Sequence, residues 1–531
     1  MSPDPAVDVL DRLRQVHVKT VCVCPGARNA ELVRLLSQPD CGFEVFWFPE
    51  ERSASFFALG RCRQQGEKAA VVTTSGTAVG ELLPAVMEAY YSGRPLILLT
   101  ADRPRRFRGS GAPQAAEQVG IFGKYAERAY DLEGAELLPN PFDVGEKPVH
   151  INMCFEDPNS NVALERPPGS RLPYESVPWY SDDISTYEIE DGIAQFKRPI
   201  VIVGLLEPWD HKSARRFLAS FRAPVYLESL SGLRGATELG PFEIRVADRL
   251  LARVSKAGYE PDGVIRLGGV PTHRFWRDLE DVDLPVFSVS RLEFSGLGRE
   301  STHVRADMAD LPSEEEGDKL QPIEGAEGLL EEDRALHGCL ESLLDQEPDS
   351  EPGLFRLLSR AIPSNSLVFV GNSLPVREWD LAACWLDRGL EVVASRGLNG
   401  IDGQISTFLG MCWPGRSNWA ILGDLTTLYD LAGPWPLSQL PQDLNATLVI
   451  INNGGGKIFD RMFPETAFQN RHNLSFEHWA AMWGLGYERA DTAEALAECA
   501  RRPNAGLRVI EVRPDVDSTG RFWAAYNEAL A

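Results

Sequence analysis

Two apolar runs in this chain each stop at a polar oxygen donor. Ala420-Ile421-Leu422-Gly423 ends at Asp424, and Thr447-Leu448-Val449-Ile450-Ile451-Asn452 ends at Asn453, followed by Gly454-Gly455-Gly456. An apolar, β-branched stretch that empties into small and polar residues is how a buried parallel strand delivers a side chain to the carboxyl edge of its sheet. Between the two runs lie a helix-like stretch from Leu425 to Leu437 and a Pro-containing loop, so the unit reads as strand, crossover, strand. A right-handed crossover brings both strand ends to one edge, where a carboxylate and a carboxamide can meet one hard cation. Magnesium wants near-octahedral oxygen and takes only one or two side chains, with phosphate oxygens and water completing the shell. An ordinary strand pair with polar capping residues is the competing reading.

The Gly-Asp step, followed about thirty positions later by Asn-Asn, resembles the diphosphate-binding motif of thiamine-diphosphate enzymes. That resemblance implies that Asp424, Asn453 and a backbone carbonyl near Gly455 hold Mg2+ (or Mn2+), which in turn holds the cofactor's diphosphate. The family pattern has Gly after the Asp; this chain has Leu425. Such a cofactor needs one carboxyl group beside its aminopyrimidine ring to shuttle a proton. Pro49-Glu50-Glu51-Arg52-Ser53-Ala54 follows a strand and opens a helix, and Glu51 is the expected acid, with Glu50 the fallback. Acidic residues in a first helical turn are also simply stabilising. The strand-to-helix turn Thr73-Thr74-Ser75-Gly76-Thr77-Ala78 offers small hydroxyl residues and backbone N–H groups to an anion or to the cofactor ring.

Basic groups cluster just past strand ends. They are Arg28 in Pro25-Gly26-Ala27-Arg28-Asn29, Arg103 in Thr100-Ala101-Asp102-Arg103-Pro104, Arg377 in Gly371-Asn372-Ser373-Leu374-Pro375-Val376-Arg377, and Arg396 in Ser395-Arg396-Gly397. A structural salt bridge is the alternative for Arg103. In a chain of net charge −24, four arginines at strand ends favour a substrate with several carboxylates, which the planar guanidinium fork suits. The same acidity argues against a nucleic-acid or anionic membrane surface.

The elements that must position these groups form three successive α/β segments, each expected to be a doubly wound parallel sheet covered by helices on both faces. The first has strands at Val18 to Cys24, Phe43 to Phe48, Ala69 to Thr73, Leu96 to Thr100 and Pro148 to Asn152, with helices at Ala30 to Ser37, Glu51 to Gln64 and Val79 to Tyr91. Asp157 to Trp179, rich in Pro, Ser and Asn, reads as a linker. The second has strands at Pro199 to Gly204, Val225 to Leu227, Val264 to Gly268 and Val286 to Val289, and the acidic stretch Asp307 to Asp333 reads as exposed loop or linker. The third has strands at Ser366 to Val370, Leu390 to Ala394, Trp419 to Leu422, Thr447 to Ile451 and Leu507 to Val512. Domain limits of 1–180, 190–345 and 346–531 follow, as expected for 531 residues. The nine cysteines include no CxxC pair, so neither a disulfide framework nor a zinc site is expected. No apolar run reaches the length of a membrane span and Met1 to Asp11 has no signal-peptide core, so a cytoplasmic location is expected.

Taken together, Cys24 to Arg28, Glu50 to Ala54, Thr73 to Ala78, Leu96 to Pro104, Gly111 to Gln118, Gly120 to Gly123, Pro148 to Asn152, Gly371 to Arg377, Arg396 to Thr407, Gly423 to Leu431 and Asn452 to Phe459 resemble one family. It is the 2-succinyl-5-enolpyruvyl-6-hydroxy-3-cyclohexene-1-carboxylate synthases, thiamine-diphosphate enzymes of menaquinone biosynthesis. The resemblance implies pyrimidine-binding, middle and diphosphate-binding domains. It also implies decarboxylation of 2-oxoglutarate and a Stetter-like 1,4-addition of the resulting unit to isochorismate. Carried over position by position, Glu51 is the cofactor-activating acid. The cofactor also meets Thr74, Ser75, Gly76, Asn372, Gly403, Gly423, Asp424, Leu425, Asn453, Gly455, Gly456, Ile458 and Phe459. Arg28, Arg103, Gln114, Ser373, Arg377 and Arg396 line the substrate site, Ile458 and Phe459 form its apolar wall, and Arg274 is added from the middle segment. A homodimer or homotetramer with active sites shared between subunits is implied as well. Two positions depart from the family: Ala27 where it usually has Ser, and Pro113 where it usually has Asn. Each removes a polar contact of roughly 1–3 kcal/mol unless something substitutes. A different 2-oxo acid carboligase, acetolactate-synthase-like, and a catalytically weakened relative are the other readings.

Overall fold

The computed structural model describes residues 4–63, 67–157, 186–312, 322–460, 462–463 and 465–531. They form two compact units, one of Met1–Pro178 with Ser395–Pro414 and Leu425–Leu444, the other of Trp179–Ala394 with Gly415–Asp424 and Asn445–Ala531.

The first unit holds one parallel sheet built from β1 (Val18–Val23), β2 (Glu44–Trp47), β3 (Lys68–Thr73), β4 (Leu96–Asp102), β5 (Arg128–Glu133) and β6 (Val149–Cys154), in the order β2-β1-β3-β4-β6-β5. All seven residues of β4 are buried, which is why the strand reads as an unbroken apolar run rather than an alternation. The helix Glu51–Arg63 is buried on every side from Ser53 to Cys62. It crosses the helix Gln404–Met411 at backbone contact: a Cβ on Gly60 would lie 2.2 Å from the Thr407 carbonyl, and one on Gly410 2.2 Å from that of Phe57.

The second unit holds two parallel sheets. One contains β7 (Pro199–Val203), β8 (Val225–Leu227), β9 (Glu243–Ile244), β10 (Gly263–Leu267), β11 (Val286–Ser290) and β12 (Thr302–Arg305), ordered β12-β11-β10-β7-β8-β9. The other contains β13 (Leu367–Val370), β14 (Glu391–Val393), β15 (Ser417–Gly423), β16 (Asn445–Ile451), β17 (Gly486–Ala490) and β18 (Gly506–Val512), ordered β14-β13-β15-β16-β18-β17. This last order repeats that of the first unit's sheet strand for strand. Open α/β sheets bind ligands where the strand order reverses, outside the carboxyl ends. Those points fall between β1 and β3, between β13 and β15, and between β7 and β10. At the β7/β10 point the two loops bond directly to each other, Gly204 N–H to the Leu267 carbonyl (3.0 Å) and Gly269 N–H to the Leu205 carbonyl (2.9 Å).

The structure bears out the three parallel sheets and corrects several element limits. The four strands not expected from sequence, β5, β9, β12 and β17, all lie at sheet edges; β5, β12 and β17 carry exposed positions where the apolar pattern thins, and β9 is only two residues long. Asp307 to Asp333 is not loop throughout: the helix Glu327–Gln346 begins inside it, and Asp333 is fully buried, accepting the backbone N–H of Arg245 (2.7 Å) and pairing with Arg253 (2.8 Å). The run Leu425 to Leu437 is broken, with a helix at Asp424–Tyr429 and a 3-10 turn at Trp435–Gln439. Val79 to Tyr91 likewise divides into Thr77–Gly80 and Leu83–Ser92, with Pro84 at the start of the second helix. The expected linker lies outside the described residues from 158 to its end at 179.

Candidate functional site

In the first unit the candidate residues gather around the β1/β3 reversal. Glu50 accepts the backbone N–H groups of Arg52 (3.0 Å) and Ser53 (2.8 Å), so it caps the helix that Glu51 begins. That capping role favours Glu51 over Glu50 as the proton-handling acid. Glu51 is half-buried, and burial pushes its carboxyl above the usual range; its own backbone N–H opposes this, while the charges of Glu50 and Glu81 add to it. A raised carboxyl is what a proton shuttle near neutral pH needs. The Cys24 thiol at the end of β1 is pushed up by burial and next by the Glu51 charge, which places the acid beside that strand end.

The turn after β3 leaves three buried hydroxyls, those of Thr73, Thr74 and Ser75, without a hydrogen-bond partner among the described residues. Each such group costs about 1–3 kcal/mol until something polar meets it. Gly76, at φ 87°, donates its N–H to the buried Gln118 side chain (2.8 Å), which itself donates to the Ala101 carbonyl (3.1 Å) and to Asn152 (2.9 Å). A Cβ on Gly76 would lie 3.2 Å from the Gln114 Cα. Arg103 donates to the Pro113 carbonyl (2.8 Å), so Gly76, Gln114 and Arg103 come together. Any residue at 113 would supply that carbonyl, so the Pro113 departure leaves this contact intact. Arg28 is buried and donates to the Phe155 carbonyl (2.9 Å) and to the exposed Asp157 carboxylate (2.7 Å).

Arg396 precedes a turn whose Gly397 and Leu398 N–H groups both donate to the buried Glu88 carboxylate, at 2.9 and 2.7 Å, with Arg63 on the same carboxylate at 3.0 Å. Gly403, at φ 61°, starts the helix Gln404–Met411 and lies so close to the Phe56 ring that a Cβ would be 2.0 Å from it. Its missing side chain thus serves helix packing.

The second unit supplies the metal-type corner. After β15, Gly423 leads into Asp424, which is 2% exposed; its Oδ2 accepts the N–H groups of Gly454 and Gly455, both at 2.9 Å, and His472 Nε2 lies 3.2 Å away. Asn453 donates through Nδ2 to both carboxylate oxygens of Glu351, each at 3.1 Å. Its Oδ1 is buried and has no hydrogen-bond partner among the described residues. The loop carrying Asn453 thus wraps the Asp424 carboxylate and presents an unsatisfied amide oxygen, a donor set that fits a hard cation. Gly455, at φ 140°, comes so close to the 469–471 segment that a Cβ would lie 2.4 Å from the Gln469 carbonyl, while Gly456 donates to that same carbonyl at 2.5 Å.

On the neighbouring strand β13, Gly371 donates to the Ile421 carbonyl of β15 (2.8 Å), so Asn372 and Ser373 flank the same reversal. Ser373 has φ 71° and ψ −121°, a backbone conformation costing an L residue about 1–3 kcal/mol, and begins the helix Leu374–Ala382. Arg377, one turn on, donates to the Ser373 carbonyl. The far end of this helix is tied down through Asp380, which accepts the N–H of Ser229 (2.7 Å), Arg234 (2.7 Å) and the Tyr226 hydroxyl. Ile458 and Phe459 lie in the short turn Lys457–Phe459, with Phe459 6.1 Å from Phe463 and 6.3 Å from Phe468, centroid to centroid. Leu425 is the second residue of the helix Asp424–Tyr429. Arg274 stands largely exposed and pairs with Asp278 on its own helix (3.2 Å), apart from the β13/β15 corner's hydrogen bonds.

Three supporting residues carry no signal of their own in the sequence: Glu88, Glu351 and His472. Ser350-Glu351-Pro352 reads only as a helix start, and no spacing links it to residue 453.

Comparison with known proteins finds related sequences and a related fold. The family described as thiamine pyrophosphate enzyme, N-terminal TPP binding domain, matches residues 6–121. Two curated relatives are both named 2-succinyl-5-enolpyruvyl-6-hydroxy-3-cyclohexene-1-carboxylate synthase. One, from Bdellovibrio bacteriovorus, is 41% identical over 98% of each chain; the other, from Akkermansia muciniphila, is 40% identical over 97% of each. A solved structure from Mycobacterium smegmatis, proposed to be a thiamin diphosphate-dependent enzyme, superposes with a TM-score of 0.69 at 16% identity, covering 97% of this chain and 100% of that one. That last likeness concerns the fold alone.

Proposed function

The chain belongs to the 2-succinyl-5-enolpyruvyl-6-hydroxy-3-cyclohexene-1-carboxylate synthase family, and from that membership we propose how its residues carry the reaction. The protein is a thiamine-diphosphate-dependent transferase of menaquinone biosynthesis. It decarboxylates 2-oxoglutarate and joins the remaining four-carbon unit to isochorismate by 1,4-addition. When bound, thiamine diphosphate supplies the electron sink for decarboxylation and the nucleophilic carbon for the addition.

Glu51 holds and releases a proton at its carboxyl oxygen next to the cofactor's ring, a role supported by the burial that raises it. The Thr74, Ser75 and Gly76 turn, whose hydroxyls lack partners among the described residues, gives that ring polar groups to meet. Asp424, Asn453 Oδ1 and a backbone carbonyl near Gly455 hold Mg2+ or Mn2+. The observations that carry this are the buried Asn453 oxygen, unpartnered among the described residues, and the N–H groups of the next two residues, Gly454 and Gly455, on the Asp424 carboxylate. Asn372, Gly403, Gly423, Leu425, Gly456, Ile458 and Phe459 complete the cofactor's surroundings. Arg28, Arg103, Arg377 and Arg396, with Gln114 and Ser373, orient the carboxylates of both substrates, and Arg274 contributes from the middle domain. Guanidinium groups in several directions suit two dicarboxylates far better than a monoanion such as pyruvate.

The domain limits proposed are 1–180, 190–345 and 346–531, in a cytoplasmic homodimer or homotetramer whose first domain from one subunit meets the third of another. Among the described residues no helix is long and apolar enough to cross a membrane. The test is to incubate the purified protein with thiamine diphosphate, Mg2+, 2-oxoglutarate and isochorismate and to seek the adduct by mass spectrometry. Turnover of pyruvate in place of 2-oxoglutarate would instead select the acetolactate-synthase-like reading.

A further inference from the structure

A carboxamide has one end that can bind a cation and one that repels it, and the two are nearly equal in size. Which end faces the Asp424 corner is decided by what stands on the other side of Asn453. There the structure puts Glu351, 4% exposed, with both carboxylate oxygens 3.1 Å from Asn453 Nδ2. An ionised carboxylate only accepts hydrogen bonds, so it can meet the amide nitrogen and not the amide oxygen. With the nitrogen held, the oxygen must point the opposite way. That is the atom found buried and without a hydrogen-bond partner among the described residues.

The carboxylate is itself well placed. Glu351 is the first residue of the helix Glu351–Ala361, capped by Ser350, whose hydroxyl accepts the Gly353 N–H (3.1 Å), and the Glu351 N–H donates to the Thr519 hydroxyl (3.0 Å). The positive end of an eleven-residue helix favours a negative charge in its first turn. The group that orients Asn453 is therefore fixed by a rigid element far away in sequence.

We propose that Glu351 is a positioning residue for the metal corner: it turns the Asn453 carboxamide so that its oxygen, and not its nitrogen, is presented to the divalent cation. This rests on the reading of Asp424 and Asn453 as metal ligands. Partners that orient a ligand in this way commonly change metal affinity by about 10–100-fold when removed.

The test uses the full-length protein with thiamine diphosphate and Mn2+ alone as the metal probe, reading free Mn2+ by electron paramagnetic resonance. Glu351→Gln replaces a partner that only accepts with one that can either accept from Asn453 Nδ2 or donate to Asn453 Oδ1, so the amide is no longer held in one orientation and Mn2+ affinity should fall about 10–100-fold with the melting temperature of the metal-free protein unchanged. Asn453→Asp alone sets two carboxylates face to face and should bind Mn2+ poorly. Adding Glu351→Gln to it restores a donor–acceptor pair and should recover much of the affinity. This second comparison carries the test if Glu351→Gln alone does not fold. Unchanged Mn2+ affinity in Glu351→Gln, or no recovery in the double variant, overturns the inference. An Asn453→Ala protein that still binds Mn2+ tightly would instead overturn the metal assignment itself, so the two failures are distinguishable.

Discussion

Gly455→Ala tests the metal corner with a single methyl group. The new Cβ would lie 2.4 Å from the Gln469 carbonyl oxygen, about 1 Å inside ordinary contact, and that neighbour is backbone that cannot swing aside. The position also has φ 140°, which L residues resist at a cost of about 1–3 kcal/mol. Relief requires the 454–456 turn to move, and that turn donates two N–H groups to Asp424 Oδ2 at 2.9 Å. Hydrogen bonds to a charged group contribute about 1.5–3 kcal/mol each, so losing one alongside the strain totals about 2.5–6 kcal/mol. Because the turn carries Asn453, the loss falls on cofactor retention more than on the fold. The expected result is at least about a hundredfold weaker Mg2+-dependent binding of thiamine diphosphate, since each 1.4 kcal/mol is tenfold. Isothermal titration of the cofactor at fixed Mg2+ reads this directly, with circular dichroism confirming that the sheets persist. Parent-like cofactor affinity in Gly455→Ala would refute the claim that this turn must fit so closely.

Three more outcomes follow from the same geometry. Glu51→Gln should keep the fold and lower turnover by about 10²–10⁴-fold, measured as carbon dioxide release from 2-oxoglutarate; a near-parental rate removes Glu51 from its role. Glu88→Gln sets an amide NH2 against one of the Gly397 and Leu398 N–H groups, so KM for a carboxylate substrate should rise about tenfold or more in steady-state assays. If Arg396→Ala raises KM and Glu88→Gln does not, the latch on the arginine turn is unimportant. Burial lowers the His150 imidazole from 6.5 to about 4, so it stays neutral in the folded protein. Its contribution, about 3 kcal/mol, is present above pH 6.5 and is lost as pH falls toward 4. Chemical denaturation across that range should show the decline, and a His150→Gln protein with the same slope would count against it.

The interior of each sheet could be read from the sequence because a strand buried on both faces is apolar without interruption, as in Leu96 to Asp102. The edge strands could not. Arg128–Glu133 and Thr302–Arg305 carry charged residues on their open side and look like loop. Asp424 and Asn453 stand out because a polar side chain that closes a buried strand is delivered to the sheet's carboxyl edge, where ligands bind. Glu351 and Glu88 act across separations of 102 and 309 residues, and no local pattern encodes a partner that distant. Glu50 differs from Glu51 in capturing two backbone N–H groups as a helix cap, a matter of helix geometry that adjacent identical residues hide. The burial of Asp333 is invisible in sequence because its surroundings are acidic and broken by Pro and Gly, whereas Arg253 and two backbone N–H groups make that burial tolerable.

The seam where β7 and β10 part company is stitched by two main-chain hydrogen bonds. In a doubly wound sheet of this strand order that seam is the berth of a dinucleotide. Here the two strand ends are tied to each other at that seam by their own main chain. Through Arg234 and Tyr226 the middle module also braces, at Asp380, the helix that begins at Ser373.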